Sequence, residues 1–154
     1  MHSDLRIRTA EPKDVETIAE FNVTMAWETE RTQLGRETVI AGVQAVLTEP
    51  RHGFYVVAEA QGQVVGCLLI TFEWSDWRCG LFWWIQSLYV QPQFRRRGIF
   101  RQLHEFVKSE ALRRGGVCGI RLYVEQSNRT AQQAYQQIGM RPCSYQMYEQ
   151  MLPK

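Results

Sequence analysis

The sequence lacks the features that define several large classes of protein. No apolar run is long enough to span a membrane, and the first residues do not form the apolar stretch of a signal peptide. The formal net charge is only +2, which argues against nucleic acid as the main partner. Repeats and low-complexity tracts are also missing. We therefore expect one cytoplasmic globular domain, residues 1–154, without a membrane partner.

Cysteine and histidine provide neither a disulfide framework nor a metal site. The four cysteines are scattered, and three of them lie in or beside apolar stretches, where a free cysteine behaves as a small buried hydrophobe. The three histidines, His2, His52 and His104, share no ligand spacing with the cysteines. No cysteine lies in an activating motif, which argues against a covalent enzyme intermediate. The sequence predicts a reduced protein without a metal.

Apolar periodicity and turn residues predict an alternating α/β order. Strands are predicted at residues 5–8, 54–58, 64–70, 82–90, 117–124 and 145–151. Helices are predicted from about residue 12 and at residues 38–47, 98–114 and 128–138. This order favours an α/β domain built on a mixed sheet.

A basic, glycine-containing turn joins the predicted strand 82–90 to the next helix. It contains Pro92, then Arg95, Arg96 and Arg97, and then Gly98. The first turn of a helix has unpaired N–H groups and the positive end of the helix dipole, and a glycine there lets an anion approach. The turn therefore predicts a phosphate cradle, although an arginine run is more often only a solvated face.

A second pattern follows at Asn128, Ala131 and Tyr135, whose spacing places all three on one face of a helix. Together the two segments resemble the signature motifs of the GNAT N-acetyltransferases, Arg/Gln-x-x-Gly-x-Gly/Ala and Asn-x-x-Ala-x-x-x-Tyr. The resemblance covers roughly residues 5–148. Phe100 departs from it, because the family usually has a small residue at that position.

The resemblance implies a fold and a cosubstrate. The fold is a three-layer α/β domain with about four helices and a mixed six- to seven-stranded sheet that splays between its fourth and fifth strands. Acetyl-CoA is expected in the splay, with pantetheine on main-chain groups and pyrophosphate on the helix start. The implied CoA contacts are Leu88, Tyr89, Val90, Arg95, Arg96, Arg97, Gly98, Ile99, Phe100, Asn128, Ala131 and Tyr135.

The resemblance also implies that Tyr135 protonates the departing thiolate; core packing is the plainer interpretation of a tyrosine on such a helix. The general base is less clear. Many relatives carry an acid on the fourth strand, and the nearest position here is Gln86, which can only hold a water. Glu73, flanked by aromatic residues, is the best substitute as base, and a solvated loop carboxylate is an equal alternative.

Four of the five tryptophans lie within eleven residues, close to several charged side chains. Aromatic faces beside carboxylates suit an alkylammonium, and an arginine there suits a substrate carboxylate. The predicted substrate contacts are Glu28, Glu30, Trp74, Asp76, Trp77, Arg78 and Trp84. The alternative is that one of Trp83 and Trp84 only packs the core.

The sequence thus favours an acetyl-CoA-dependent N-acetyltransferase acting on a primary amine of a small molecule or peptide. Two other functions stay open. One is an acyl-CoA-sensing module with little activity, which Gln86 and Phe100 favour. The other is a nucleic-acid binder, which the low net charge disfavours. The acceptor, the acyl chain and the choice between a monomer and a homodimer are not determined by the sequence.

Overall fold

The computed structural model describes residues 4–154, so that Met1, His2 and Ser3 lie outside the described part. The chain divides into two compact units. The first, here called the sheet unit, ends at Leu122, and the second, the C-terminal unit, runs from Tyr123 to Lys154. The prediction of one domain over the whole chain stays a prediction.

The sheet unit contains a five-stranded sheet in the order β1-β2-β3-β4-β5. The strands are β1 (Leu5–Thr9), β2 (Phe54–Ala60), β3 (Gln63–Ser75), β4 (Gly80–Val90) and β5 (Val117–Arg121). The first four pair antiparallel, and β5 pairs parallel to β4. The helices of this unit are α1 (Val15–Glu30), α2 (Arg36–Thr48) and α3 (Ile99–Arg114). No helix within residues 4–154 is long and apolar enough to cross a membrane.

Strand alternation gives the sheet two apolar faces, and each face is covered by helices. On one face, Leu68, Ile70 and Trp83 are buried with residues of α3. On the other, Val57, Cys67 and Tyr89 are buried with residues of α1 and α2. The result is the predicted three-layer α/β arrangement with a mixed sheet.

A nearly buried ion pair joins β1 to the start of α1. Arg8 donates from Nη1 and Nη2 to the two oxygens of Asp14 at 2.7 and 3.0 Å, and from Nε to Glu59 at 2.9 Å. Burial by itself would raise the pKa of the Asp14 carboxyl. The hydrogen bonds from Arg8 and from the Glu11 N–H, with the charge of Arg8, lower that pKa below its usual value.

The C-terminal unit contains one helix, α4 (Arg129–Gln137), within its described residues. The prediction of a closing strand at 145–151 is wrong, and the described sheet has five strands rather than six or seven. The apolar side chains of this segment are exposed, among them Tyr145, Met147, Tyr148 and Met151. Strand-forming residue types produce a strand only where another strand pairs with them, and here no ladder forms.

Candidate active site

The predicted splay lies between β4 and β5. The two strands pair from Leu81 with Val117 to Trp84 with Arg121, where β5 ends, while β4 continues to Val90. Beyond Trp84, the edge of β4 that faces away from β3 has no strand partner among the described residues. An open strand edge of this kind can bind an extended, amide-containing ligand through main-chain hydrogen bonds.

A β-bulge at Ser87 shapes this open edge. Gln86 pairs with Leu69 and Tyr89 pairs with Cys67, so β4 contains one residue more than β3 in this interval. Ser87 takes the extra position with φ of 48°. As a result, Leu88 packs on the α3 face of the sheet rather than sharing a face with Gln86. The sequence does not predict this bulge, because serine has no special preference for a positive φ.

The turn after β4 forms the start of α3. A 3₁₀ turn at Pro92–Phe94 is followed by Arg96 with φ of 63° and by Gly98 with φ of 76°. Gly98 is the N-cap of α3, and no side chain caps this helix. A Cβ at Gly98 would meet no atom within 4 Å. The space beside Gly98 at the helix start is therefore open, as an anion site requires.

Arg95 is held by contacts on three sides. It donates from Nε to the Val90 carbonyl at 2.8 Å and from Nη2 to Glu28 at 2.9 Å, and its guanidinium carbon lies 5.4 Å from the centre of the Tyr89 ring. Glu28 belongs to the last turns of α1, so the pair joins a predicted CoA contact to a predicted substrate contact. Glu30, at the end of α1, is exposed.

Phe100 lies one helical turn before His104, and their ring centres are 6.3 Å apart. Phe100 is half-buried and Ile99 is buried in the α3 core. Burial lowers the pKa of His104 below its usual value, so that the imidazole is neutral at neutral pH. The ring of Phe100 therefore has an uncharged aromatic neighbour one turn along the helix.

Glu73 lies in β3 rather than in a loop. It pairs across the sheet with Phe82, and its Oε1 accepts from Nη1 of Arg121 at 2.7 Å. Gln86 lies four residues after Phe82 along β4, and four residues span about 13 Å at the usual rise of a strand. Its amide is 3.5 Å from the hydroxyl of Thr71. The structure therefore brings Glu73 together with Arg121, and not with Gln86.

The tryptophans occupy three different environments. Trp74 and Trp77, at the hairpin between β3 and β4, are 62% and 85% exposed. Asp76 accepts a hydrogen bond from the Trp77 N–H at 2.9 Å, and Arg78 lies 5.1 Å from the Phe82 ring. The neighbouring Trp83 is buried in the α3 core and Trp84 is half-buried on the opposite face. The hairpin and the start of α3 lie at opposite ends of β4.

The C-terminal unit carries the second motif. The Asn128 side chain accepts from the Ala131 N–H at 3.1 Å and so caps α4. Tyr135 is half-buried, and desolvation raises the pKa of its hydroxyl above the usual value. The hydroxyl is therefore protonated at neutral pH and able to donate a proton.

With this geometry in place, the family is defined. The model of the Acetyltransferase (GNAT) family matches residues 14–140. The chain belongs to the GNAT acetyltransferase family.

Individual solved structures agree. A possible acetyltransferase from Clostridium difficile 630 is 41% identical over 97% of this chain and 99% of that chain, with a TM-score of 0.90. Two others share the fold at 17% identity. Aminoglycoside N-acetyltransferase AAC(6')-Iy in complex with CoA covers 98% of this chain and 97% of its own, with a TM-score of 0.78. A predicted acetyltransferase with acetyl-CoA from Clostridium acetobutylicum covers 95% and 96%, with a TM-score of 0.75.

The described residues contain no group of three or more His, Cys, Asp or Glu side chains that could hold a metal ion.

Proposed function

We propose that this protein transfers an acetyl group from acetyl-CoA directly to a primary amine of a small molecule or peptide. The observation that carries the proposal is the open edge of β4, from Ile85 to Val90, leading through a short turn to the uncapped start of α3. The open strand edge accommodates an extended amide-containing arm, and the helix start accommodates phosphate. CoA contains both groups in that order.

The start of α3 fits pyrophosphate without a metal. The amides of Ile99 and Phe100 belong to the first turn, and the first helical hydrogen bond runs from Gln102 N–H to the Gly98 carbonyl at 3.1 Å. Arg96 and Arg97 are exposed and supply positive charge. Arg95 contributes differently, since its ion pair with Glu28 fixes the loop at the end of β4.

The chemistry requires four proton or bond movements. The acceptor ammonium loses a proton, its nitrogen forms the new bond to the acetyl carbon as the carbon–sulfur bond breaks, the acylated nitrogen loses a second proton, and the thiolate gains a proton. We assign the last step to Tyr135, whose hydroxyl is protonated at neutral pH. We assign the first to Glu73, which takes the proton directly or through a water held by Gln86.

Direct transfer is also supported by the cysteines. Burial raises the pKa of the Cys67 thiol to about 12, so this thiol is not a nucleophile at neutral pH. The Cys118 thiol is 3.2 Å from the Leu81 carbonyl, in β5 and away from the turn that precedes α3. Neither environment activates sulfur for a covalent intermediate.

A second candidate function is an acyl-CoA-sensing module with little activity. Gln86 in place of an acid, together with the ion pair that holds Glu73, favours it. A thiol-release assay with acetyl-CoA and a panel of primary amines separates the two functions. Release that depends on an amine supports the transferase. Tight CoA binding by calorimetry without amine-dependent release supports the sensor, and no CoA binding contradicts both.

A further inference from the structure

Arg121 lies outside both sequence motifs, yet it occupies the last rung at which β5 pairs with β4. Its guanidinium carbon lies 3.5 Å from the centre of the Phe82 ring, and its Nη1 donates to Glu73 at 2.7 Å. A stacked ring beneath and an ion pair at one side fix the plane of the guanidinium. Arg121 is therefore a preorganised group at the mouth of the splay.

This guanidinium has donors that the described residues do not use. Arg carries five N–H donors in a planar fork, and Glu73 is the hydrogen-bond partner of Nη1. Neither Nε nor Nη2 of Arg121 makes a hydrogen bond within residues 4–154, and the side chain is 30% exposed. A second carboxylate can therefore bind Arg121 in the bidentate geometry that this side chain favours.

The surrounding sheet face carries balanced charge. Arg121 and Glu73 supply one positive and one negative group, and Trp84 lies half-buried beside them on the rung shared with Arg121. A pair of opposite charges on a partly apolar surface matches a molecule that itself carries one charge of each sign. A simple alkylamine would leave the remaining arginine donors to water.

We propose that the acceptor of this enzyme is an amine that also carries a carboxylate, and that Arg121 binds that carboxylate. Glu73 holds the guanidinium in position and attracts the ammonium group of the same molecule. This inference rests on the proposed acetyl transfer and narrows its acceptor to amino acids and related amino carboxylates.

Arg78 is the other arginine beside the Phe82 ring, and it is a weaker candidate. It lies 5.1 Å from the ring centre, at an exposed hairpin, against 3.5 Å for Arg121. An exposed side chain with a longer ring contact loses more conformational freedom when it binds a ligand. Because Arg78 and Arg121 both lie beside the Phe82 ring, a substitution of Arg78 is a matched control for a substitution of Arg121.

The test measures acetyl transfer to four amino acids: glycine, β-alanine, lysine and glutamate. Each is compared with its own amide, in which the α-carboxylate (the single carboxylate of β-alanine) is replaced by a carboxamide. Arg121→Met, Arg121→Lys and Arg78→Met are compared with the wild type. Variant-to-wild-type ratios cancel the different basicity of acid and amide. For Arg121→Met we expect kcat/KM to fall on the order of 10- to 100-fold with the preferred amino acid, because a hydrogen-bonded charge is lost. Transfer to the amide of that amino acid and the affinity for CoA should change little. For Arg121→Lys we expect a kcat/KM with the amino acid between those of the wild type and Arg121→Met.

Three outcomes would overturn the inference. The first is that Arg121→Met lowers transfer to acid and amide equally, and the second is that Arg78→Met alone removes the preference. The third is that the wild type acetylates the amides as well as the acids. If Arg121→Met does not fold, the Arg121→Lys ratio decides, since that variant keeps the charge and loses the fork. Failure of every amine despite CoA binding would contradict the acetyl transfer itself.

Discussion

The helices α3 and α4 begin in opposite ways. At α3, Gly98 has no side chain and the first-turn amides are uncapped. At α4, Asn128 closes the helix start with its own side chain, which accepts from the Ala131 N–H. An uncapped start leaves backbone donors for a ligand, whereas a capped start has used one of them. We therefore expect α3 to bind CoA through its backbone N–H groups, and α4 to act through the side chains on its face.

The start of α1 is a third case. There the buried Asp14 carboxylate accepts from the Glu11 N–H at 2.8 Å and pairs with Arg8. A buried ion pair therefore holds the turn that leads into α1. It provides a structural reference against which the starts of α3 and α4 can be tested.

The largest expected effect concerns the face of α4. Tyr135→Phe removes the hydroxyl alone and should lower kcat by roughly 10²–10⁴, the usual contribution of a positioned proton donor. The affinity for CoA and the melting temperature should change little, because the ring remains. Steady-state kinetics and calorimetry on one preparation check both parts. A variant that keeps most of its kcat would contradict the proton-donor role and leave the CoA site unaffected.

The next effect is on stability at the start of α1. Asp14→Asn leaves Arg8 buried with only Glu59 as an ionic partner, and should lower the free energy of unfolding on the order of 3 kcal/mol. In the wild type the pKa of Asp14 is lowered on folding, so its stabilisation is present above the usual aspartate pKa. It is lost as the pH falls through the lowered pKa.

Urea unfolding as a function of pH checks this prediction. The wild type should lose stability below about pH 4, where unfolded aspartate takes up its proton, and Asp14→Asn should lose less over the same interval. Glu16→Gln is a suitable control, because Glu16 pairs with Arg36 on an exposed surface. Equal acid sensitivity of Asp14→Asn and the wild type would show that this pair does not couple protonation to folding.

A smaller effect is expected at the start of α3. Asparagine tolerates a positive φ better than other side chains, so Gly98→Asn should fold and yet fill the space in front of the first-turn amides. The affinity for CoA should fall about tenfold, corresponding to about 1.4 kcal/mol. Gly62→Asn in the turn between β2 and β3 is a matched control, since Gly62 also has φ of 76° and a Cβ added there would also meet no atom within 4 Å.

Calorimetry with CoA measures both glycine variants. Equal loss of affinity in the two would mean that the cause is backbone strain, and an unchanged affinity in Gly98→Asn would place the phosphate site elsewhere. Either result would contradict the proposed difference between the uncapped start of α3 and the capped start of α4.

The smallest effect is expected from the cap of α4. Asn128→Ala removes the bond to the Ala131 N–H and should destabilise the protein by about 1 kcal/mol, the usual cost of losing an N-cap. Thermal unfolding measures it, with Asn128→Ser as the variant that restores a capping oxygen. If Asn128→Ala instead weakened CoA binding at unchanged stability, Asn128 would be a ligand contact rather than a cap.

Much of the architecture could be predicted from local patterns. The glycine before α3 and the order of elements up to α4 both depend on residues close together in sequence. The strand predicted at 145–151 failed because pairing depends on a distant partner. Similarly, β3 extends to Ser75 through residues that look like a polar loop, because they pair with β4 as far as Gly80.

The sequence by itself determined the family motifs, the three-layer α/β class and the glycine at the start of α3, because those depend on periodicity and on conformational preferences within a few residues. The tertiary structure alone decided the bulge at Ser87 and the pairing of Glu73 with Arg121, residues 48 positions apart. Strand register and side-chain contacts across a sheet arise from packing of the whole unit, and no local pattern in the chain specifies them.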